Sequence, residues 1–435
     1  MEVTSGPYQG YVYAYPHKTA YRQFAPRLDL RDLWAAEPRR KALFLYIHIP
    51  FCEMRCGFCN LFTRTGAPEK LTQAYLDALD RQASAVRAAI GDDARFAVAA
   101  FGGGTPTYLS AGELERLFDI AQKEMGADLH TMPLSVETSP ATATPDRLAV
   151  LRSSGTNRVS IGVQSFIDAE ARAAVRPQKR AEVEKALTAI RAEGFERLNI
   201  DLIYGIDGQT STSWRYSLDA ALAWRPEEIY LYPLYVRPLT GLGRHAVDWD
   251  DQRMTLYREG RDHLLAEGYE QVSMRMFRLP GTGGDAGEYC CQRDGMVGLG
   301  AGARSYTGEV HYSFDYAVGA RHVRAIIDDY VGRPAGDFAY AEGGFHLNDH
   351  ERRRRYLIQS LLQAEGLDRE AYRETFGTDA VADFPTLERF ADTGWLTADA
   401  ERLALTAEGL AHSDAIGPSL FSPAVQALMN TYEGR

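Results

Sequence analysis

The sequence predicts an α/β protein, a partial (β/α)6 TIM-like barrel followed by a mainly helical, winged-helix-like C-terminal domain. Three observations predict it. From Ala42 to about Met276, short apolar runs alternate with amphipathic stretches. Glycine and proline punctuate the junctions, as in Pro145 after Thr144 and the stops at Gly155 and Gly194. Beyond about residue 344 the alternation gives way to helical periodicity.

The strands are expected at Leu43–Ile49, Phe96–Phe101, Leu134–Glu137, Arg158–Val163, Leu198–Tyr204 and Glu228–Tyr232. The helices between them are expected at Leu71–Ile90, Ala111–Met125, Pro145–Ser154, Ala181–Glu193 and Ser213–Trp224. Connections of this length suit parallel crossovers with helices outside the sheet. Six units fall short of the eight that close a barrel, so a partial barrel is expected, with its chemistry at the C-terminal strand ends. A seventh strand is expected at Gln271–Met276, followed by the Gly/Pro-rich stretch Pro280–Gly284. Val297–Gly300 and His311–Tyr316 read as flanking strands or loops, and Gly332–Gly344 as a linker. Helices at His350–Ala364, Leu387–Ala391 and Ala407–Ser413, the last entered from Leu403–Thr406, suggest a winged helix. Its acidic surroundings favour a lid or packing role over DNA binding. The expected divisions are a lead-in at 1–41, the barrel at 42–280, an extension and linker at 281–344, and the C-terminal domain at 345–435.

The chain has 435 residues, a formal charge of -11 and 45% hydrophobic residues, values of a globular protein without a nucleic-acid-binding surface. Met1–Pro7 has neither a basic nor an apolar leader region, and no stretch reaches the ~20 apolar residues of a membrane span. A cytoplasmic location is expected, with no membrane or nucleic-acid partner.

The five cysteines are too few and too unevenly placed for a disulfide framework. Cys52, Cys56 and Cys59 form a C-x3-C-x2-C run directly after the first barrel strand. Thiolates at such spacing hold an iron–sulfur cluster or zinc. Three local thiols on a [4Fe–4S] cluster leave one iron open for a ligand. The alternatives are a zinc site with His48 as fourth ligand, or three free buried thiols.

This loop resembles the signature of the radical SAM superfamily. Within it, the chain is most similar to the oxygen-independent coproporphyrinogen III oxidases and their homologues. The resemblance rests on Tyr11–Pro16 with Phe24, Tyr46–Cys52, Gly102–Thr107, Ser135–Glu137, Gly162–Phe166, Val175–Gln178, Asn199–Gly205, Gly298–Tyr306, Glu351–Arg354 and Leu405–Gly409. It implies a [4Fe–4S] cluster on Cys52, Cys56 and Cys59, whose open iron chelates S-adenosylmethionine (SAM). It also implies a second SAM site, a small-molecule substrate and a reducing donor such as flavodoxin or ferredoxin.

The cofactor contacts expected on this basis are Tyr46, Phe58, Gly103, Gly104, Thr105, Glu137, Gln164, Arg176, Asp201, Tyr235 and Arg304. Their chemistry fits. Glycines admit a ligand close to the backbone, and a carboxylate at a buried strand end needs a cation or donor, whether cofactor or structural salt bridge. The Arg176 guanidinium suits a carboxylate. Arg304 faces an anionic group or pairs with Asp294. Trp224, Tyr232 and Tyr235 line a cavity or belong to an aromatic core.

The implied activity is reductive cleavage of SAM to a 5′-deoxyadenosyl radical that abstracts hydrogen from an organic substrate. The oxidase motif carries a cysteine two positions after its last ligand, where this chain has Leu61. Methylation or another C–H functionalisation therefore stands beside oxidative decarboxylation. A haem-binding chaperone is the alternative, but its histidine-containing stretch is replaced by Tyr289–Asp294, with Cys290 and Cys291 in it. Cys290 reads as a haem ligand, and the pair as substrate-contacting thiols or small buried side chains.

Overall fold

The computed structural model describes residues 6–37, 42–236, 242, 250–283 and 289–432. Met1–Ser5, part of the stretch read for a leader, and Gly284 of the Gly/Pro-rich stretch lie outside these residues.

Among the described residues the chain builds one 13-stranded sheet, a separate three-stranded one and a two-stranded one that pairs Phe51–Cys52 with Arg64–Thr65. In chain order the main strands are β1 (Arg22–Asp29), β2 (Leu43–Ile49), β3 (Phe96–Gly103), β4 (Leu134–Thr138), β5 (Arg158–Gln164), β6 (Arg197–Tyr204) and β7 (Glu228–Pro233). They continue with β8 (Met276–Arg278), β9 (Met296–Leu299), β10 (Arg304–Tyr306), β11 (Val310–Ser313) and β12 (Tyr340–His346). Strands β2 to β7 are parallel neighbours in sequence order. The terminal strands of the order are not paired with each other, so the barrel is open, as six βα units suggested.

Local chemistry sets the helices between them. Glu69–Ile90 stops at Gly91, whose φ of 84° suits glycine. Ser110 and Glu113 form a capping box at the next helix. Pro145 opens the third unit's helix, and left-handed Gly194 ends Arg180–Glu193. The helix expected to run from Ala111 to Met125 changes at Ile120 into a π-turn, Ile120–Glu124.

Three expectations are corrected. Gln271–Met276 is not one strand: Glu270–Gln271 and Met276–Arg278 pair antiparallel around a turn in which Ser273 caps the amides of Arg275 and Met276. The barrel does not end at 280, because β9 lies parallel beside β2 and adds a seventh parallel strand. Gly332–Gly344 is not a linker, because β12 bridges β1 and β11 in the main sheet. Local glycine content suggested a linker; ladder hydrogen bonds from distant strands override it.

The C-terminal domain has its own core, with Leu357, Leu361, Tyr372, Phe390, Leu403 and Ile416 buried together. Its helices begin with Asp349–Leu361, and its three-stranded sheet, Leu367–Asp368, Arg402–Leu405 and Leu396–Ala398, forms the expected wing. The lead-in is no separate unit. It supplies β1 to the main sheet and buries Tyr15 in the C-terminal core, where the hydroxyl donates to Glu351. Among the described residues, no helix is long and apolar enough to cross a membrane.

Candidate functional site

The cysteine loop leaves β2 at its C-terminal end, where parallel sheets bind ligands. A neighbouring loop packs against it: Gly57 donates to the Ala174 carbonyl at 3.1 Å, and a Cβ at Gly57 would meet Val175 at 2.7 Å. That packing brings buried Arg176 to the thiols, and its Nη1 donates to Cys56 Sγ at 3.1 Å. Arg176 also donates to the Gly162 carbonyl and to Gln178. Cys52 Sγ lies 3.3 Å from Thr105 Oγ1, and Cys59 Sγ lies 3.7 Å from Thr63 Oγ1. Each sulfur thus has a donor able to support negative charge.

Burial pushes the Cys52 thiol up to about 12, with the Cys59 and Cys56 sulfurs adding to the rise. A bound cation is what would keep such thiols ionised. Among the described residues no three His, Cys, Asp or Glu side chains converge on a single-ion position. His48 is engaged elsewhere: Nε2 lies 3.0 Å from the Phe62 carbonyl and Nδ1 3.3 Å from the Tyr46 hydroxyl, and burial lowers its pKa to about 4. The trio therefore suits a [4Fe–4S] cluster, which offers each sulfur its own iron, better than one zinc ion shared with His48.

Beside the loop, the end of β3 is bare backbone. Gly103 has φ of 112°, and a Cβ there would meet the His48 ring at 2.5 Å. Gly104 donates to the Ile49 carbonyl at 2.8 Å and Thr105 to that of Phe51 at 2.8 Å, which ties this turn to the cluster loop. The Gly103 amide donates to Glu137 Oε2 at 3.1 Å. Glu137 is classed as exposed, yet the surface it exposes faces an internal cavity. Desolvation there, with the Asp201 carboxylate nearby, raises its pKa to about 7. Asp201 on β6 is held by Asn199 at 2.7 Å, and burial raises its pKa to about 6. Gln164, at the end of β5, is buried with φ of 68°, an uncommon backbone state for a residue with a Cβ.

The cavity has a volume of about 490 Å³. Tyr46, His48, Gly103 and Glu137 line its barrel side. Lys18, Tyr11 and Tyr13 from the lead-in and Arg304, Tyr289, Cys291 and Tyr306 from the extension line it as well, together with the ion pair Arg275–Asp414. Three of the six exposed large apolar side chains among the described residues, Tyr11, Tyr13 and Leu61, expose themselves into this space, which marks it as a binding surface. Arg304 sits 4.5 Å over the Tyr13 ring and Lys18 Nζ 3.2 Å over the Tyr316 ring. Arg304 Nη1 is buried with no hydrogen-bond partner among the described residues, and the pairing with Asp294 is not formed. Burial, with Arg304 nearby, holds Lys18 well below the usual lysine range.

The structure thus brings Tyr46, Gly103, Glu137 and Arg304 into one cavity wall and sets Gly104, Thr105, Arg176, Asp201 and Gln164 around it. It separates others. Phe58 packs into an apolar cluster with Ala174, Ile203, Ile206 and Leu234. Tyr235 does not line the cavity among the described residues; its hydroxyl donates to Asp414, which also pairs with buried Arg275. Trp224 precedes β7, at the sheet edge opposite the strand ends that carry the site, and its carbonyl accepts from Arg191. Tyr232 stacks on Tyr230 and meets Tyr11 edge-on at 6.4 Å. Sequence reasoning missed Lys18, Tyr11 and Tyr13 as site residues; the tyrosine repeat before Pro16 was the only local signal.

Known proteins are similar to this chain in sequence and in fold. Residues 46–221 match the Radical SAM superfamily, and 347–412 match the HemN C-terminal domain. The chain is 30% identical to the oxygen-independent coproporphyrinogen III oxidase of Paracoccus denitrificans, over 91% of each chain. It is 27% identical to the heme chaperone HemW of Bacillus subtilis, over 84% of this chain and 95% of that one. The structure of coproporphyrinogen III oxidase (HemN) from Escherichia coli superposes with a TM-score of 0.78 at 23% identity, covering 97% of this chain and 98% of that chain.

Proposed function

The chain belongs to the radical SAM superfamily, in the family of the oxygen-independent coproporphyrinogen III oxidases and HemW chaperones, and on that premise we propose that it functionalises a C–H bond of a carboxylate-bearing substrate. The carrying observation is one cavity lined by the Glu137 carboxylate at a barrel strand end and by Lys18 and Arg304, beside the ion pair Arg275–Asp414.

When bound, the reduced cluster and SAM supply a 5′-deoxyadenosyl radical that takes a hydrogen atom from the substrate. Cys52, Cys56 and Cys59 hold the cluster, and Arg176, Thr105 and Thr63 donate to their sulfurs. The bare Gly103 backbone admits the cofactor, and Glu137 as the carboxylate accepts from its ammonium group. Tyr46 supports that side of the cavity through His48. Lys18 and Arg304 hold the substrate's carboxylates between the rings of Tyr11, Tyr13 and Tyr306. Together these walls exclude water from the reacting carbon.

The test is anaerobic turnover with dithionite, SAM and coproporphyrinogen III, the substrate in the relatives' name. Release of 5′-deoxyadenosine with substrate-dependent product supports the reading; no cleavage of SAM by the iron-replete protein rejects it. Loss of carbon dioxide marks oxidative decarboxylation. S-adenosylhomocysteine marks methyl transfer, and SAM bound per cluster reads the proposed second molecule. A second reading, haem binding, is favoured by Cys291, whose thiol lies in the cavity wall; it requires stoichiometric haem uptake that Cys291→Ser removes.

A further inference from the structure

A second cavity, of about 420 Å³, lies between the extension and the C-terminal domain and takes no part in the chemistry above. Its volume is in the range of small-molecule sites. Three guanidiniums line it, Arg293, Arg352 and Arg355, against one carboxylate, Asp294. Tyr356 and Phe376, edge to face at 5.5 Å, supply an aromatic wall.

Arg355 is the informative member. It is only 4% exposed, makes no ion pair among the described residues, and its Nε has no hydrogen-bond partner there. Its Nη2 donates to the Cys291 carbonyl at 2.9 Å, which fixes the side chain without neutralising it. A buried guanidinium lacking a counter-charge is costly unless an anion meets it. The neighbours do little to offset that charge. Asp294 already accepts the Cys290 amide at 2.6 Å, and Arg293 interacts with Cys290 and Asp294. Arg352 reaches Glu309 only at 3.9 Å, and that carboxylate is 72% exposed. The wall therefore keeps an excess of positive charge in a partly enclosed space.

We propose that this cleft binds a small, multiply charged oxyanion, a phosphate or polycarboxylate group, with Arg355 at its base and Arg352 and Arg293 at its rim. Guanidinium forks suit both oxyanions, and the aromatic wall accommodates an apolar part of the ligand. Its rim is separate from the reaction cavity, which neither Arg352 nor Arg293 lines, whereas Arg355 lies between the two, against Cys291 and Tyr306 of the reaction cavity.

The test is calorimetric titration of the full-length, cluster-loaded, SAM-bound protein with pyrophosphate and with citrate. One of the two should bind saturably, and the tighter identifies the class. Arg352→Glu should weaken it at least about tenfold, the loss of one charged hydrogen bond, and Arg355→Gln should abolish it. Arg352 is 40% exposed at the rim, so its variant keeps the test valid if Arg355→Gln does not fold. Arg304→Met, in the other cavity, should leave the affinity unchanged. No saturable binding of either anion overturns the proposal, as does binding that survives Arg352→Glu or is lost in Arg304→Met.

Discussion

The barrel's strand ends contribute glycine backbone and the Glu137 carboxylate to the reaction cavity, with Asp201 near that carboxylate; the lead-in and extension contribute Lys18, Arg304 and tyrosines. The barrel wall is built from consecutive strand ends, so its residues follow the βα repeat. The basic residues come from the lead-in and from β10, about 290 residues apart in the chain. The contrast suits the two guests proposed. SAM brings a sulfonium and an ammonium, which an acidic wall favours, whereas a carboxylate-bearing substrate needs cations. The difference teaches how the two proposed guests would be told apart: acidic residues favour the cationic one and basic residues the carboxylate.

Four experiments break or sharpen that contrast. The largest effect is expected from Cys56→Ala, which removes a proposed cluster ligand and with it the barrel wall's function. Iron content should fall and 5′-deoxyadenosine formation drop by more than about 10²-fold, beyond what loss of an outer-shell partner costs. Unchanged iron and cleavage would separate the thiols from the chemistry altogether.

Glu137→Gln comes next. Losing a charged hydrogen bond of ~1.5–3 kcal/mol should weaken SAM by about 10- to 100-fold in equilibrium dialysis, with iron content retained. An equal loss of SAM affinity in Arg304→Met would erase the distinction between the walls.

Arg304→Met and Lys18→Met should act on the other guest only. Each should raise the dissociation constant of a porphyrin carboxylate probe by about tenfold, followed by fluorescence quenching, while SAM affinity holds.

The smallest effect is a pH slope. Glu137 has a pKa raised to about 7 in the folded protein, from burial first and Asp201 second, against about 4.3 in an unfolded chain. The folded state therefore binds more protons across that window. Its contribution to stability is present in full below about pH 4.3 and is lost as pH rises through about 7. In cluster-loaded, SAM-free protein, Glu137→Gln should flatten the melting-temperature profile between those values. SAM binding to the parent protein should weaken as pH falls below about 7, where a proton competes for the carboxylate.

The sequence carried much of the barrel. Leu43–Ile49 is a strand with the expected ends, because its apolar run is bounded by the start of the unit and by the proline before the cysteine loop. Glu137 at a strand end and the thiol trio were legible for the same reason: parallel strands direct such residues to one edge. What Tyr235 meets was not legible in the sequence, because its partner Asp414, itself in the cavity lining, lies 179 positions away. Glycines at 343 and 344 resembled a linker until two remote strands supplied ladder partners.

By itself, then, the sequence determined the repeating units, the grouping of three thiols on one loop and the acidic edge, since each depends on periodicity or spacing within a few residues. Only the tertiary structure decided what shares a cavity with that edge. Lys18 and Arg304 carry no local pattern, and they meet in one cavity because β1 pairs with β12 and β12 with β11, which joins the lead-in and the extension in one sheet. Contacts between distant segments are set by the packing of whole surfaces, which no short window of residues encodes.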